Sequence, residues 1–329
     1  MGHTEPFHGP LFVVGMPRSG TKLLRDLLNQ HSAVGIPHAE TELLVRWAER
    51  WPSYGDLSRP AAFRSFFSTY AGSAFFTYMA EERGVHVHPA DWHAACADHS
   101  LAGVFEALVR QTASIPVDGV WGDKSPGYIT ALPLIWRVWP HARVIHIVRD
   151  CRDYVLSIQN AWQKDPLRAA QRWSDDVVAA LDAEAGADGA LLRIHYEDLL
   201  ADPERTMRAA LEHVGLEWEP ACLTLERPSE NLGATAGASR IVSTNTQKWR
   251  TDLDAQRLHR IESIAGRTLE RAGYPVTEAG TERLSLSERR IAQVRDGFSL
   301  VRFDAAERGW VDAIRFRLRL FRHSGAVER

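Results

Sequence analysis

The sequence predicts an α/β fold: a P-loop-like parallel β-sheet flanked by helices, with a helical insertion and a helical C-terminal extension. Three observations carry this. Short apolar runs alternate with amphipathic helical patterns along most of the 329 residues. A glycine-containing loop joins the first apolar run to the first helical pattern. An aromatic-rich stretch breaks the alternation once, and a basic tail follows it.

Leu11-Phe-Val-Val14 reads as a buried strand, because four apolar residues in succession suit a strand covered on both faces. Thr21 to Gln30 follows as a helix with Leu23, Leu24, Leu27 and Leu28 on one face. Further strands are read at 33–36, at Val120-Trp-Gly122, at Arg143-Val-Ile-His-Ile-Val148 and at Ala190-Leu-Leu-Arg-Ile194. Helical patterns lie at 101–113, 128–138, 152–162, 166–184 and 203–214. These elements place the main domain at 1–280. Within it, 47–118 is a helical insertion whose aromatic core (Trp47, Trp51, Phe63, Phe66, Tyr70, Trp92) either forms an extra layer or walls a pocket. Residues 281–329 form the appendage. There Arg308, Arg315, Arg317, Arg319 and Arg322 interleave with Trp310, Ile314, Phe316, Leu318, Leu320 and Phe321. That pattern reads first as a packed helix with a solvated basic face, and second as a helix that contacts a membrane surface or a partner.

Composition excludes several classes. Apolar residues make up 45% and charged residues 25%, so disordered, collagen-like and coiled-coil readings fall away. A net charge of −3 lacks the basic excess of a nucleic-acid binder. Cys96, Cys151 and Cys222 are odd in number and far apart, which points to a reducing, cytoplasmic setting. No apolar run reaches the roughly 20 residues of a membrane span, and no secretion signal is read at the N-terminus.

Gly15-Met-Pro-Arg-Ser-Gly-Thr-Lys22 is the strongest chemical signal. A loop between a strand and a helix N-terminus aims backbone N–H groups at an anion. Gly15 and Gly20 allow tight turning, Arg18 and Lys22 add charge, and Ser19 and Thr21 add hydroxyls. Thr21 separates Gly20 from the lysine, so the loop is not a Walker A motif.

At this loop the chain resembles the 3′-phosphoadenylyl-sulfate (PAPS)-dependent sulfotransferases. PRSGTKLLRDLLNQHSAV is closest in style to the tyrosylprotein sulfotransferase branch and related bacterial proteins. The resemblance implies that Arg18, Ser19, Gly20, Thr21 and Lys22 hold the 5′-phosphosulfate. Arg149-Asp-Cys-Arg-Asp-Tyr-Val-Leu-Ser157 resembles the family's 3′-phosphate signature. Arg149 can fork onto a phosphate, and Ser157, on the following helix, can donate its hydroxyl. Trp121-Gly-Asp-Lys-Ser-Pro126 resembles the family's lysine segment. His195-Tyr-Glu-Asp resembles the segment whose tyrosine, here Tyr196, lies by the adenine. Ser243-Thr-Asn-Thr-Gln-Lys-Trp249 resembles the C-terminal nucleotide segment, with Lys248 within reach of the 3′-phosphate.

The implied reaction is in-line transfer of a sulfuryl group from PAPS to an acceptor hydroxyl, leaving adenosine 3′,5′-bisphosphate. The acceptor is a small molecule, carbohydrate, lipid or peptide. Glu40 matches the family's general base, with Glu42 and His38 as alternatives. Lys124 and Arg18 would stabilise the leaving phosphate, and Ser243 would donate a hydroxyl to it. The scheme needs no metal. His86, His88, His93, Cys96 and His99 are metal-ligand types, yet their spacing fits no zinc pattern. A P-loop nucleoside or small-molecule kinase and a non-catalytic nucleotide-binding protein stand as alternatives. Arg149 with Ser157 speaks against the kinase, because ATP has no 3′-phosphate.

Overall fold

The apolar run Leu11–Val14 forms β1, the middle strand of a five-stranded, all-parallel sheet. The structure, a computed structural model, describes residues 6–113, 115–315 and 317. The other strands are β2 (Val34–Gly35), β3 (Val120–Lys124), β4 (Arg143–Val148) and β5 (Leu191–His195), in spatial order β2-β3-β1-β4-β5. Val13 lies opposite Lys124, Val14 opposite His146, and Val148 opposite His195. The carboxyl ends of four strands therefore reach one edge together. Open α/β sheets carry their ligand sites at such an edge.

Strand alternation sends neighbouring residues to opposite faces. Leu11, Val13, Ile145 and Ile147 pack with Leu24, Leu27 and Leu28 of α1 (Thr21–Leu28). Phe12, Val14, Val144 and Val148 face the other layer. Both faces are covered, so the strands read as continuous apolar runs. Each such side chain contributes about 1.5–3 kcal/mol by leaving water.

Between β2 and β3 lie α2 (Leu44–Arg50), α3 (Pro60–Tyr70), α4 (Ala74–Arg83), α5 (Pro89–Ala95) and α6 (Leu101–Thr112). Trp47 meets Phe66 edge-on at 5.0 Å, and Phe63 meets Trp92 at 5.1 Å. Phe105 of α6 joins this aromatic cluster to Phe12 of β1 at 6.3 Å. The insertion thus shares the core of the sheet's face. His93 and His99 stack at 4.3 Å, and His93 contacts the Ser58 carbonyl at 3.0 Å. Among the described residues, no cluster of three or more His, Cys, Asp or Glu side chains is placed to hold a metal ion.

The second half supplies α7 (Leu132–Val138), α8 (Cys151–Trp162), α9 (Pro166–Glu184), α10 (Tyr196–Ala201), α11 (Pro203–His213), α12 (Trp249–Asp252), α13 (Ala255–Arg271) and α14 (Leu286–Arg308). Their starts follow capping chemistry. Asp165 precedes Pro166 and accepts from the backbone N–H groups of Leu167 and Arg168, both at 3.0 Å. Buried Arg152 bridges Asp150 at 2.6 Å and Glu262 at 2.8 Å, tying α8 to α13. The three cysteines are free thiols, and among the described residues no helix is long and apolar enough to cross a membrane.

α14 packs on α8 and α9. Its Asp296 points inward, accepting from the Asp165 N–H at 2.7 Å and Arg168 Nη1 at 2.5 Å. One expectation for the appendage is corrected here. Trp310 and Ile314 were read as packed, yet both stand exposed. The segment is anchored through Ala292, Asp296 and Leu300, and its other face is left open. The side chains of Arg308 and Phe316, and the whole of 318–329 with Leu318, Arg319, Leu320, Phe321 and Arg322, lie outside the described residues.

His146 sits wholly buried in β4, with neither ring nitrogen hydrogen-bonded within the described structure. Burial, reinforced by the Arg193 charge, pushes its imidazole down to about 3. The unfolded chain takes up a proton near the ordinary pKa of 6.5, whereas the folded chain resists until about 3. Stability contributed by neutral His146 is therefore present above 6.5 and lost as pH falls through that window. Melting temperature is expected to drop steadily from pH 7 to pH 4. A His146→Leu variant should show a flatter profile over the same range; an unchanged profile would assign the acid sensitivity elsewhere.

Candidate active site

The loop between β1 and α1 turns sharply because two residues adopt left-handed backbone. Arg18 has φ 69° and Gly20 has φ 92°. At Gly20 a side chain is also sterically excluded: a Cβ would stand 2.4 Å from Cδ2 of Tyr196. Ser19 is fully buried and its Oγ has no protein partner. A buried hydroxyl beside the open N-terminus of α1 suits an anion. Thr21 starts the helix, and Lys22 lies half-buried on the wall of the cavity described next.

That cavity, of about 550 Å³, opens between α1, the β2–α2 connection, α4 and residues 225–231. Lys22, His38, Glu40 and Glu42 line it, as do Tyr78 and Arg83 from the insertion. Lys124, at the end of β3, is completely buried and donates from Nζ to Glu40 Oε1. Burial lowers the Lys124 pKa, and the charges of Arg25 and Lys22 add to this; Glu40 opposes it. Glu40 itself is partly exposed to the cavity. The pair therefore presents a carboxylate to the open space, with an ammonium behind it.

The turn carrying these groups is held by hydroxyls. Ser125 Oγ accepts from the Glu42 N–H at 3.2 Å, and Tyr128 Oη accepts from the Leu44 N–H at 2.8 Å. Thr41 Oγ1 lies 2.9 Å from Tyr128 Oη. Glu42 presents surface to water within the concavity, but the surrounding walls desolvate its carboxyl and Glu40 repels its charge. Together they push it up to about 7. Fully buried Asp123 is pushed up to about 6, chiefly by desolvation. His38 is pushed down to about 4 by burial and by Arg25, so it is neutral at pH 7.

A second, tighter cavity of about 40 Å³ lies on the other side of the loop. Arg18, Gly20, Arg149, Tyr196, Arg240 and Asn245 line it, and Leu225 and Ser229 line both cavities. Arg149 donates from Nη1 to the Arg18 carbonyl at 2.9 Å and from Nη2 to the Asn245 carbonyl at 3.2 Å. Its guanidinium carbon stands 4.7 Å from the centre of the Tyr196 ring. Nε is buried without a protein partner. A buried N–H donor left open beside an aromatic ring fits a nucleotide phosphate next to a base.

The structure thus places Lys22 and Glu40 on the first cavity with Lys124 behind Glu40, places Gly20, Arg149 and Tyr196 around the second, and buries Ser19 in the loop between them. Two expected residues stand differently, and Ser157 lies on the helix where it was expected without lining either cavity. The Arg18 guanidinium turns away to Glu230 and to the Leu232 carbonyl, the latter at 2.8 Å. Ser243 is exposed and lines neither cavity. Ser157 is half-buried on α8. Lys248 reaches Asn245 Oδ1 at 2.8 Å, and Asn245 Nδ2 donates to Tyr196 Oη at 2.8 Å. Asn245 and Glu230 were missed from sequence. The signal for Asn245 was its place inside the Ser243–Trp249 segment; Glu230 carries none.

Residues 10–220 match the sulfotransferase family. A sulfotransferase domain from the curacin biosynthetic pathway superposes with a TM-score of 0.52 at 20% identity, covering 83% of this chain and 100% of that domain. Among curated proteins, an uncharacterized protein of Aquifex aeolicus is 25% identical over 76% of this chain and 31% of its own length. Protein-tyrosine sulfotransferase 1 of Danio rerio is 24% identical over 70% of this chain and 58% of its own length. The chain thus spans less than two thirds of both curated relatives.

Gly20→Ala places a methyl group against Tyr196 in a backbone conformation that L-residues resist. The expected cost is roughly 1–3 kcal/mol of stability. Equilibrium denaturation measures it, and a cost below about 0.5 kcal/mol would show that the ring moves aside freely.

Proposed function

The chain belongs to the sulfotransferase family, and from that premise we propose that it transfers a sulfuryl group from PAPS to an acceptor hydroxyl. The observation that carries this reading is the pair of cavities sharing Leu225 and Ser229 as a common wall. One offers a carboxylate–ammonium pair, the other an arginine with an open donor edge beside a tyrosine ring. Such a layout suits a donor that is anionic at both ends, with its reacting sulfur toward Glu40.

In this reading Ser19, Lys22 and the first amides of α1 hold the phosphosulfate, while Arg149 holds the 3′-phosphate and Tyr196 flanks the adenine. The acceptor oxygen forms a bond to sulfur as the bond from sulfur to the 5′-phosphate oxygen breaks. Glu40 takes the acceptor's proton. Lys124 thereby loses its anionic partner at the moment the leaving phosphate gains charge, so its ammonium is released to the product side. His38, neutral and weakly basic, is a poorer base. Glu42, with its carboxyl near 7, is protonated for a large fraction of molecules at neutral pH.

The second cavity, about 40 Å³, is smaller than the roughly 300–1,000 Å³ of ligand pockets, and on its wall Glu230 holds the Arg18 guanidinium. An anion bound at Arg18 would compete with Glu230 for its guanidinium. The acceptor is a small molecule, carbohydrate, lipid or peptide; the zebrafish relative's name puts peptidyl tyrosine first in a screen.

Three outcomes test the reading. Adenosine 3′,5′-bisphosphate should raise the melting temperature where ATP with magnesium does not; the reverse would favour the kinase. Glu40→Gln should lower turnover by about 10²–10⁴-fold while nucleotide binding persists, and near-normal turnover would remove Glu40 as base. Glu230→Gln should tighten adenosine 3′,5′-bisphosphate by about threefold or more, because Arg18 no longer has to leave a carboxylate. Unchanged or weaker binding, measured by calorimetry, would refute a competing role for Glu230.

A further inference from the structure

The C-terminal helices expose an apolar face that the site chemistry does not use. On α14, Ile291, Val294 and Phe298 recur at intervals of three and four, which places them on one helix face. Trp310, Val311 and Ile314 extend the patch onto the following helical segment. The six side chains are 47–74% exposed. Phe298 and Trp310 stand 6.3 Å apart, so the two stretches form one patch. Single exposed apolar residues are ordinary on a protein surface, but a contiguous patch of six marks an interaction site.

The charges beside it are of one sign. By helical geometry Arg290 flanks the stripe on one side, and Arg295 and Arg302 flank it on the other. All three are exposed, and none pairs with a carboxylate among the described residues. The acidic neighbours whose side chains are described are already engaged. Glu288 caps the helix with Ser285, Asp296 holds Arg168, Asp304 holds Arg317, and Asp312 lies 3.4 Å from Arg315.

We propose that this face docks on an anionic lipid surface, with the six apolar side chains entering the headgroup boundary and Arg290, Arg295 and Arg302 meeting lipid phosphates. The basic flanks decide among occupants. A second copy of the chain would set arginine against arginine along the stripe. Residues 318–329 supply Arg319, Arg322 and Arg329 against Glu328 alone, so that stretch cannot neutralise them. A partner helix with acidic flanks would need a single regular seam, whereas Trp310 beside Phe298 broadens the patch over two helical stretches. A fluid apolar layer with anionic headgroups accommodates both the breadth and the charge. The proposal is independent of the sulfuryl-transfer reading.

The test is co-sedimentation of the full chain with vesicles of phosphatidylcholine alone or with about one third phosphatidylglycerol. Binding is expected to the anionic vesicles, to weaken strongly with added salt, and to be slight on phosphatidylcholine. Val294→Glu with Phe298→Glu should weaken it by about tenfold or more, as should the triple change Arg290→Ser, Arg295→Ser and Arg302→Ser. All substituted positions are exposed, and unchanged melting temperatures verify that the variants fold. No binding to anionic vesicles at low salt, or equal binding by wild type and both variants, overturns the proposal. So does a dimer seen in analytical ultracentrifugation that Val294→Glu abolishes, which would assign the face to a second copy.

Discussion

One buried guanidinium connects the parts on which the site depends. Arg149 leaves the end of β4 at the sheet edge, and its two terminal nitrogens hold the carbonyls of Arg18 and Asn245. Its own carbonyl accepts from Trp173 Nε1 at 3.0 Å, fixing the strand end to α9. Its face lies over Tyr196. The phosphate loop, the 245 segment and the start of α10 are far apart in sequence, and this one side chain makes them neighbours. Arginine suits the place because its planar fork serves several acceptors at once and keeps its charge when buried; lysine would offer a point charge without that fixed geometry. The remaining Nε–H is buried without a protein partner.

The other cavity follows a different electrostatic logic. A buried lysine without a partner is costly, and its pKa falls until it loses its proton. Glu40 restrains that fall while standing partly in the open space. The pair is thus a charged device whose balance changes when Glu40 is protonated. Desolvation raises the nearby Glu42 and Asp123 carboxyls, to about 7 and about 6, so Glu42 carries only part of a negative charge at neutral pH.

Much of the fold could be read from the sequence because periodicity and capping are local. β1, β4, β5 and α9 stand where the apolar runs and the helical pattern at 166–184 place them. α13 is absent from the sequence reading, although Leu258, Ile261, Ala265 and Leu269 follow helical spacing. The site was legible where residues sit on strand ends, as with Lys124, Arg149 and Tyr196. It was not legible in the 225–245 segment, which has no periodicity and reaches the phosphate loop across more than 200 residues of sequence. Helical spacing shows which residues share a face but not which face is buried. That is why Trp310 and Ile314 were expected inside.

The same distinction separates the two halves of the site. Arg149 and Tyr196 follow the ends of β4 and β5, which the register of the sheet fixes, while residues 225–245 close their cavity from outside the sheet. The open half is walled by α4 of the insertion and by residues 225–231, and neither belongs to the sheet. Arg83 from the one and Arg227 from the other both act electrostatically on His38. The walls that would touch an acceptor are therefore supported by helix packing and loop contacts alone. They can change residue by residue without disturbing the strands that position Glu40's partner Lys124 or the arginine at the end of β4. In a fold arranged this way the sheet constrains the strand ends, while the helices and loops around the open cavity are free to differ between family members.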